Sequence, residues 1–493
     1  MKTLIINPPH QAIGSRIPIE HLPPLGLLYI GGSLLDEGYE VELLDADYDN
    51  QSLDEIMAYL QNYQPNCVLI GHSGSTSAHP IIMEITQAIK AYNEDIITIY
   101  GGVFPSYHFV EIFKYENSID YIVRGEGEEI IKNLINALQY KQNLAQVEGI
   151  VYKENGTLVI TPNATPIRDL DAYRVGWELI NIAKYSYWGE KRAVVMQFSR
   201  GCPHHCNYCG QRLFWQKWRH RDPQKFASEI AWLHREHGVE VVNLADENPT
   251  SSKRVWQELL EAIIAQNIDI TIVGSTRADD IVRDKDILHL YKKAGVARFL
   301  LGIENYDEIQ LAKIKKGSSI AKDRLAIALL RQHKILSMAT YVFGFGDERG
   351  RDYIRGAKQI IDYDPDQIQL LYATPHKWTP YFYDVKSKRV VEYDLKKWDY
   401  KHQVMETRLA PWRLFLTIKI IEIMVQLRPI ALYRLVFYPD KKIRDSIKWY
   451  YRVGRKVWFY EIYHFVFKNT MVKNGKSMSE FWNYYPTTPN TKK

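Results

Sequence analysis

The sequence predicts an α/β protein in three parts: a doubly wound, Rossmann-like domain, a partial (β/α)6 barrel and a helical C-terminal region. Three observations carry this. Short apolar runs alternate with amphipathic segments up to about residue 145, the pattern of a parallel sheet covered by helices on both faces. A second, six-fold alternation follows from residue 192 to 383. Beyond residue 384, apolar positions recur at helical spacing with Lys and Arg between them. The expected divisions are 1–145, a hairpin and linker at 146–191, 192–383 and 384–493.

With 493 residues, 46% of them hydrophobic and 25% charged, the chain can bury two or three cores, and disorder is not expected. The net charge of +5 hides an asymmetry: residues 401–493 hold 18 Lys and Arg against 6 Asp and Glu, so the remainder is mildly acidic. A basic, aromatic tail suits an anionic partner, whether a carboxylated substrate, a membrane surface or nucleic acid. Lys419 and Glu422 interrupt the longest apolar run, Leu414–Leu427, so a soluble or peripheral protein is expected. Three of four cysteines are clustered and the opening MKTLIINPPH carries no secretory signal, which points to a reducing cytoplasm rather than a disulfide framework.

In the first domain TLIIN, YEVELLD, CVLIG, IITIYGG and DYIVRG read as strands. Residues 25–36, 53–63, 80–92 and 128–138 read as helices. Ligands of such sheets bind at the carboxyl ends of the strands. Those ends hold Asn7-Pro8-Pro9, Asp45-Ala46-Asp47, the run from Gly71 to Ser75, Gly101-Gly102, and Gly125-Glu126-Gly127-Glu128. No G-x-G-x-x-G follows the first strand, so a dinucleotide is not indicated. Small residues there admit a large planar ligand, with Ser73, Ser75 and Thr76 placed to bond its edge. Cys67, inside the third strand, reads as a small buried apolar residue. GIVYKENGTLVITP predicts a hairpin about Asn155-Gly156, and the linker after it shows no chemistry.

Six strand candidates follow: AVVMQFS, VEVVNLA, ITIVGS, RFLLGI, SMATYVFGF and QIQLLYA. Reacting groups of a barrel gather at the strand carboxyl ends. After the first comes SRGCPHHCNYCGQ, with Cys202, Cys206 and Cys209 spaced C-x3-C-x2-C. Three thiolates at this spacing can ligate three irons of a cubane and leave the fourth open to the amine and carboxylate of S-adenosylmethionine. A zinc site is the alternative, with His204, His205 or His220 as fourth ligand. Arg277, after the third strand, suits the carboxylate, while Ser275, Glu247 and Glu304 suit the amine or ribose. The alternative for the acids is structural: Asp246 and Glu247 as helix caps and Glu304 in an ion pair.

Residues 211–221 are basic and aromatic. Arg212, Trp215, Trp218 and Arg219, together with His376 and Trp378 after the sixth strand, are candidates to line a cavity for a flat, anionic substrate, or a packed connection to the next helix. The tail helices, Leu409–Tyr438 broken at Pro429 and Ile443–Phe467, read as a lid, a cap on the barrel or a membrane-facing surface.

The cysteine signature, with Tyr208 before its last member, resembles that of the radical S-adenosylmethionine enzymes, and the first domain resembles the cobalamin-binding domain that precedes many of them. The resemblance implies a [4Fe-4S] cluster on Cys202, Cys206 and Cys209, bound S-adenosylmethionine, and cobalamin against His10, His72, Ser73, Ser75, Gly101, Gly102, Gly125 and Glu126. Cobalamin proteins with a histidine lower ligand carry D-x-H-x-x-G after the first strand. Here Pro8 takes the aspartate position and Gly14 falls one residue late, so histidine ligation of cobalt does not carry over, and a solvated loop histidine is the alternative for His10. Long stretches, among them NLADENP, VGSTRADDIVRD and YDPDQIQLLYATPHKWTPYF, resemble the oxidative-cyclase branch of the family. That branch implies a magnesium-porphyrin substrate, anaerobic formation of the isocyclic ring of chlorophylls, an external one-electron reductant such as flavodoxin or ferredoxin, and no nucleic acid. The alternatives are a cobalamin-dependent radical methyltransferase with another substrate, and a non-catalytic tetrapyrrole-binding or zinc-stabilised module.

Overall fold

The computed structural model describes residues 1–10, 20–72 and 76–483; Ser73 and Ser75 lie outside the described residues. The first sheet contains β1 (Lys2–Asn7), β2 (Glu40–Asp45), β3 (Cys67–His72), β4 (Ile97–Gly102), β5 (Tyr121–Val123), β6 (Ile150–Glu154) and β7 (Thr157–Ile160). Its order is β2-β1-β3-β4-β5-β6-β7, with β1 to β5 parallel. Because side chains alternate along a strand, each strand feeds two cores. Leu4, Ile6, Val68 and Ile70 enter one, Ile5, Cys67 and Leu69 the other. Cys67 is thus a buried apolar residue, and burial raises its thiol pKa.

The helix α1 (Leu25–Asp36) covers one face. The opposite face is covered by α2 (Leu53–Tyr63), α3 (His79–Tyr92) and α4 (Val103–Tyr115), and α5 (Gly127–Gln139) joins α1. α2 opens with a reciprocal cap, Ser52 accepting from Glu55 N and the Glu55 carboxylate from Ser52 N. The sequence reading omits α4. Its residues, VFPSYHFVEIFKY, have no clean amphipathic period, since the helix is kinked at His108 and buried near its start. Nor is the hairpin at β6 and β7 a separate piece: it extends the first sheet antiparallel from β5.

The second sheet is built from β8 (Ser186–Tyr187), β9 (Lys191–Met196) and, after a two-residue ribbon of β10 (Ser199–Arg200) with β11 (Arg219–His220), β12 (Val241–Leu244), β13 (Thr271–Thr276), β14 (Val296–Glu304), β15 (Leu336–Phe343) and β16 (Gln367–Tyr372). Its order is β16-β15-β14-β13-β12-β9-β8. The six main strands are parallel and β8 returns antiparallel at the edge, so the sheet is the expected partial barrel.

The C-terminal region is helical at Pro411–Gln426, Pro429–Phe437 and Lys441–Phe467. Pro429 ends one helix and starts the next, where its missing N–H has no intrahelical partner to lose. A last short helix, Met478–Asn483, stacks Trp482 on His108 at 4.8 Å. Among the described residues no helix is long and apolar enough to cross a membrane.

Candidate active site

The carboxyl ends of the two parallel sheets face each other, and the cysteine loop lies between them. Its base is the β10–β11 ribbon, which pairs Ser199 with His220 and Arg200 with Arg219. Gly201 turns the chain at φ +88°, where a Cβ would come within 2.6 Å of the Lys217 carbonyl oxygen. Asp246, at the end of β12, accepts from Phe198 N at 3.1 Å and from Ser199 N and Oγ, and Glu247 accepts from Gly201 N at 3.2 Å. Both acids therefore hold the loop rather than cap the following helix, whose N-cap is Ser252. Burial pushes each up to about 7, against the pull of those hydrogen bonds.

Cys202, Cys206 and Cys209 are buried or half-buried, and none is in a disulfide. Among the described residues no group of three or more His, Cys, Asp or Glu is gathered closely enough to hold a metal ion. Three thiols on one loop are the donor set that a [4Fe-4S] cubane with one open iron would take. Burial pushes Cys202 up to about 11 and also raises Cys209, so a bound metal is what would draw off their protons.

Arg277 lies within electrostatic reach of Cys202 and Cys206, but its guanidinium already bonds Asp279 at 2.9 Å and the Lys316 carbonyl at 2.9 Å. Glu304 ends β14 at a register break with φ +68°, a strained conformation of the kind kept at functional sites. It pairs with Lys316 at 3.1 Å and lies close to Tyr208. Ser275 is half-buried near the end of β13. Asp323, beneath this group, is fully buried, accepts from Ser318 Oγ at 2.7 Å, and is pushed up to about 7 by burial. A carboxyl raised in the folded state stabilises most below its unfolded pKa near 4 and loses that contribution as pH rises through 7. Asp323→Asn is therefore expected to remove part of the fall in stability between pH 4 and 7, at most about 4 kcal/mol at the linkage rate. Denaturant midpoints across that range check it, and an unchanged slope would refute it.

In the first sheet the strand order reverses between β1 and β3, which opens a crevice at their carboxyl ends. His10 and His72 meet there with ring centroids 4.2 Å apart, and Asp47 accepts from His10 N at 3.0 Å. His10 is buried, which overturns the solvated-loop alternative; the loop folds inward because Asp47 on the neighbouring strand end receives it. His72 is held neutral, its pKa pushed down to about 3 by burial and by His10. Its buried Nδ1 has no partner among the described residues. Gly101 and Gly102 continue the crevice floor, with Gly102 at φ +114°, where a Cβ would strike the His72 carbonyl, and Gly125 at φ +90° opens onto empty space. An orphaned imidazole nitrogen above glycines without side chains fits a broad planar ligand such as a corrin.

Where the sheets join, Thr76 Oγ1 contacts His376 Nδ1 at 3.2 Å and His376 Nε2 contacts Tyr400 Oη at 2.7 Å. Burial pushes His376 down to about 4, so it is neutral near pH 7. Trp378 lies between Tyr107, stacked at 5.3 Å, and His376, and its Nε1 donates to the Gly210 carbonyl at 2.9 Å. Both therefore touch the cysteine-loop side and the first sheet at once. Arg212 contacts the His205 carbonyl, and Trp215 lies against the Arg200 guanidinium at 5.1 Å. Trp218 donates to the Asn248 carbonyl and packs on the barrel core, as a packed connection to the next helix does.

Glu126, expected at cobalamin, and Arg219, expected at substrate, pair with each other at 2.7 Å; each is part-buried where the strand ends meet, and each supplies the other's counter-charge. The residue the sequence reading missed is Arg200. Its guanidinium bonds Glu126 at 2.9 Å, Glu128, and Gln197 Oε1 at 3.1 Å. It ties the first residue of the cysteine loop to the first sheet. Its place immediately before Gly201-Cys202 was the available signal.

The matches to known proteins follow the same division. The B12 binding domain model matches residues 20–135 and the Radical SAM superfamily model residues 196–355, which defines the class as radical S-adenosylmethionine proteins with a B12-binding domain. An anaerobic magnesium-protoporphyrin IX monomethyl ester cyclase of Synechocystis sp. is 56% identical over 98% of this chain and 97% of its own. Another of the same name, from Rubrivivax gelatinosus, is 31% identical over 82% of this chain and 74% of its own. The chain belongs to the anaerobic magnesium-protoporphyrin IX monomethyl ester cyclase family. In fold it is similar to the cobalamin-dependent S-adenosylmethionine radical enzyme OxsB, solved with aqua-cobalamin and S-adenosylmethionine: TM-score 0.65, 18% identity, 96% of this chain and 73% of that one.

Proposed function

We propose that this protein is an oxidoreductase that closes the isocyclic ring of chlorophyll or bacteriochlorophyll, converting magnesium-protoporphyrin IX monomethyl ester to divinyl protochlorophyllide with the new oxo oxygen taken from water. The observation that carries this reading is the 56% identity to the Synechocystis cyclase, which extends through both sheets and the tail. The bound cluster and S-adenosylmethionine supply radical chemistry able to start at an unactivated C–H bond, with cobalamin as a second reactive centre.

The chain's own residues hold these parts and shape the cavity. Cys202, Cys206 and Cys209 hold the cluster. Arg277, Glu247, Ser275 and Glu304 surround the S-adenosylmethionine, with Arg277 kept in place by Asp279 and Glu304 by Lys316. His10, His72, Gly101, Gly102 and Gly125 form the corrin crevice. His376 and Trp378 close the space between corrin and cluster, and Arg212 and Trp215 flank it. The partners are the magnesium porphyrin and an external one-electron donor such as flavodoxin or ferredoxin, in a cytoplasmic setting at the periphery of a membrane.

Anaerobic mixtures of reconstituted protein, cobalamin, S-adenosylmethionine, reductant and the porphyrin ester test this by mass spectrometry. Deoxyadenosine together with a pigment carrying oxygen from labelled water is the expected result. Deoxyadenosine with unchanged pigment would remove this substrate, and S-adenosylhomocysteine with a methylated product would move the protein to the methyltransferases.

A further inference from the structure

The outer surface of the C-terminal helices is unlike the rest of the molecule. Among the described residues, 16 of 28 exposed large apolar side chains lie between Trp412 and Phe467. Helix 411–426 is apolar on two faces: Leu414, Ile418, Ile421 and Val425 enter the barrel core, while Trp412, Leu416 and Ile420, with Leu427 just past its end, face outward with about half their surface exposed. A helix of that kind is stable in water only when its second face is covered. Helix 429–437 continues the outward face with Tyr433, Val436 and Phe437.

Helix 441–467 has a different division. Its first half buries Ile443, Ile447 and Trp449 against the second sheet. From there one outward stripe at three- and four-residue spacing carries Arg452, Arg455 and Lys456, then Phe459, Tyr463 and Phe467. Phe415 and Phe465 stack at 4.0 Å, so the apolar ends of the first and third helices form one surface. Charge is one-sided as well. Lys419, Glu422 and Glu461 are paired inside, and Arg428 and Arg434 are held by residues 364 and 365. Among exposed charged side chains of residues 411–468, Asp445 is the one acid against Arg413, Lys441, Lys442, Lys448, Arg452, Arg455, Lys456 and Lys468.

We propose that this face docks on the surface of an anionic lipid bilayer, with the apolar and aromatic side chains at the headgroup boundary and the cations on lipid phosphates. The inference deepens the membrane setting proposed above and rests on it, not on the identity of the reaction. The helices lie on the bilayer rather than in it, since none is long and apolar enough to cross. Charge complementarity selects the occupant: a second copy of the chain would set these cations against their equals across a two-fold axis.

The test is co-sedimentation of the full-length protein, under anaerobic conditions, with phosphatidylcholine vesicles with or without phosphatidylglycerol. Binding is expected on the anionic vesicles and is expected to weaken with salt. The triple variant Arg452→Gln, Arg455→Gln, Lys456→Gln is expected to bind them on the order of 100-fold more weakly, about fivefold per cation. Phe459→Ser with Phe467→Ser is expected to weaken binding whatever the lipid charge. Both variants should keep deoxyadenosine formation in vesicle-free solution, which separates lost docking from misfolding. Equal binding to neutral and anionic vesicles would overturn the proposal, as would no binding to either. A dimer dissociated by the phenylalanine changes, without vesicle binding, would assign the face to a second copy. A product assay that rejects the porphyrin leaves the vesicle result standing.

Discussion

A Cys206→Ala variant is expected to lose reductive cleavage of S-adenosylmethionine, with deoxyadenosine formation falling more than about 100-fold, beyond the 10–100-fold typical for a group that merely supports a metal ligand. Two neighbouring groups that could otherwise stand in are already engaged. His220 Nδ1 bonds the Arg221 carbonyl at 2.8 Å at the base of the ribbon, and Glu247 is committed to Gly201 N. Two thiols alone leave a second iron open. The corrin crevice is made by the other sheet, so the variant should still bind cobalamin. Iron content, the visible absorption of the reconstituted cluster and deoxyadenosine yield measure the first expectation, and corrin titration measures the second. Deoxyadenosine at the parent rate from this variant would show that the cluster assignment is wrong.

The second large effect is expected at Arg200. Replacing it with Met leaves Glu126 and Glu128 buried at the junction of the sheets, Glu126 with only Arg219 and Glu128 without its guanidinium. Removing one partner of a buried pair costs about 3–5 kcal/mol, because the stranded charge keeps its desolvation penalty. The loss should appear where the sheets meet: faster hydrogen exchange in β5, the start of α5 and the cysteine loop, with the strands of both cores unchanged. Arg200→Met combined with Glu126→Gln and Glu128→Gln should recover most of it, since no charge is then stranded. If exchange at the junction does not change in the single variant, Arg200 does not tie the sheets.

Much of this was legible in the chain. β1, β3 and β4 are short apolar runs buried on both faces, and such runs need no tertiary information to be recognised. The six barrel strands were equally plain, as was the break at Pro429. Less visible were elements whose residues answer to neighbours rather than to their own periodicity. α4 buries His108 and Phe104 against Trp378 and Trp482, more than 260 residues away, so its pattern is set by the join and not by a single core.

By itself the sequence determined the two α/β units, the helical tail and the three cysteines, because periodicity and ligand spacing are local properties of the chain. Tertiary structure alone decided which side chains meet. It brought His10 onto His72 through the strand-order reversal, and it made Glu126 and Arg219 each other's counter-charge. It also made Arg200 the link between the sheets. The reason is physical: a buried charge or ring takes its role from the partner that replaces water around it, and here those partners come from distant segments that only the packing of two sheets end to end brings together.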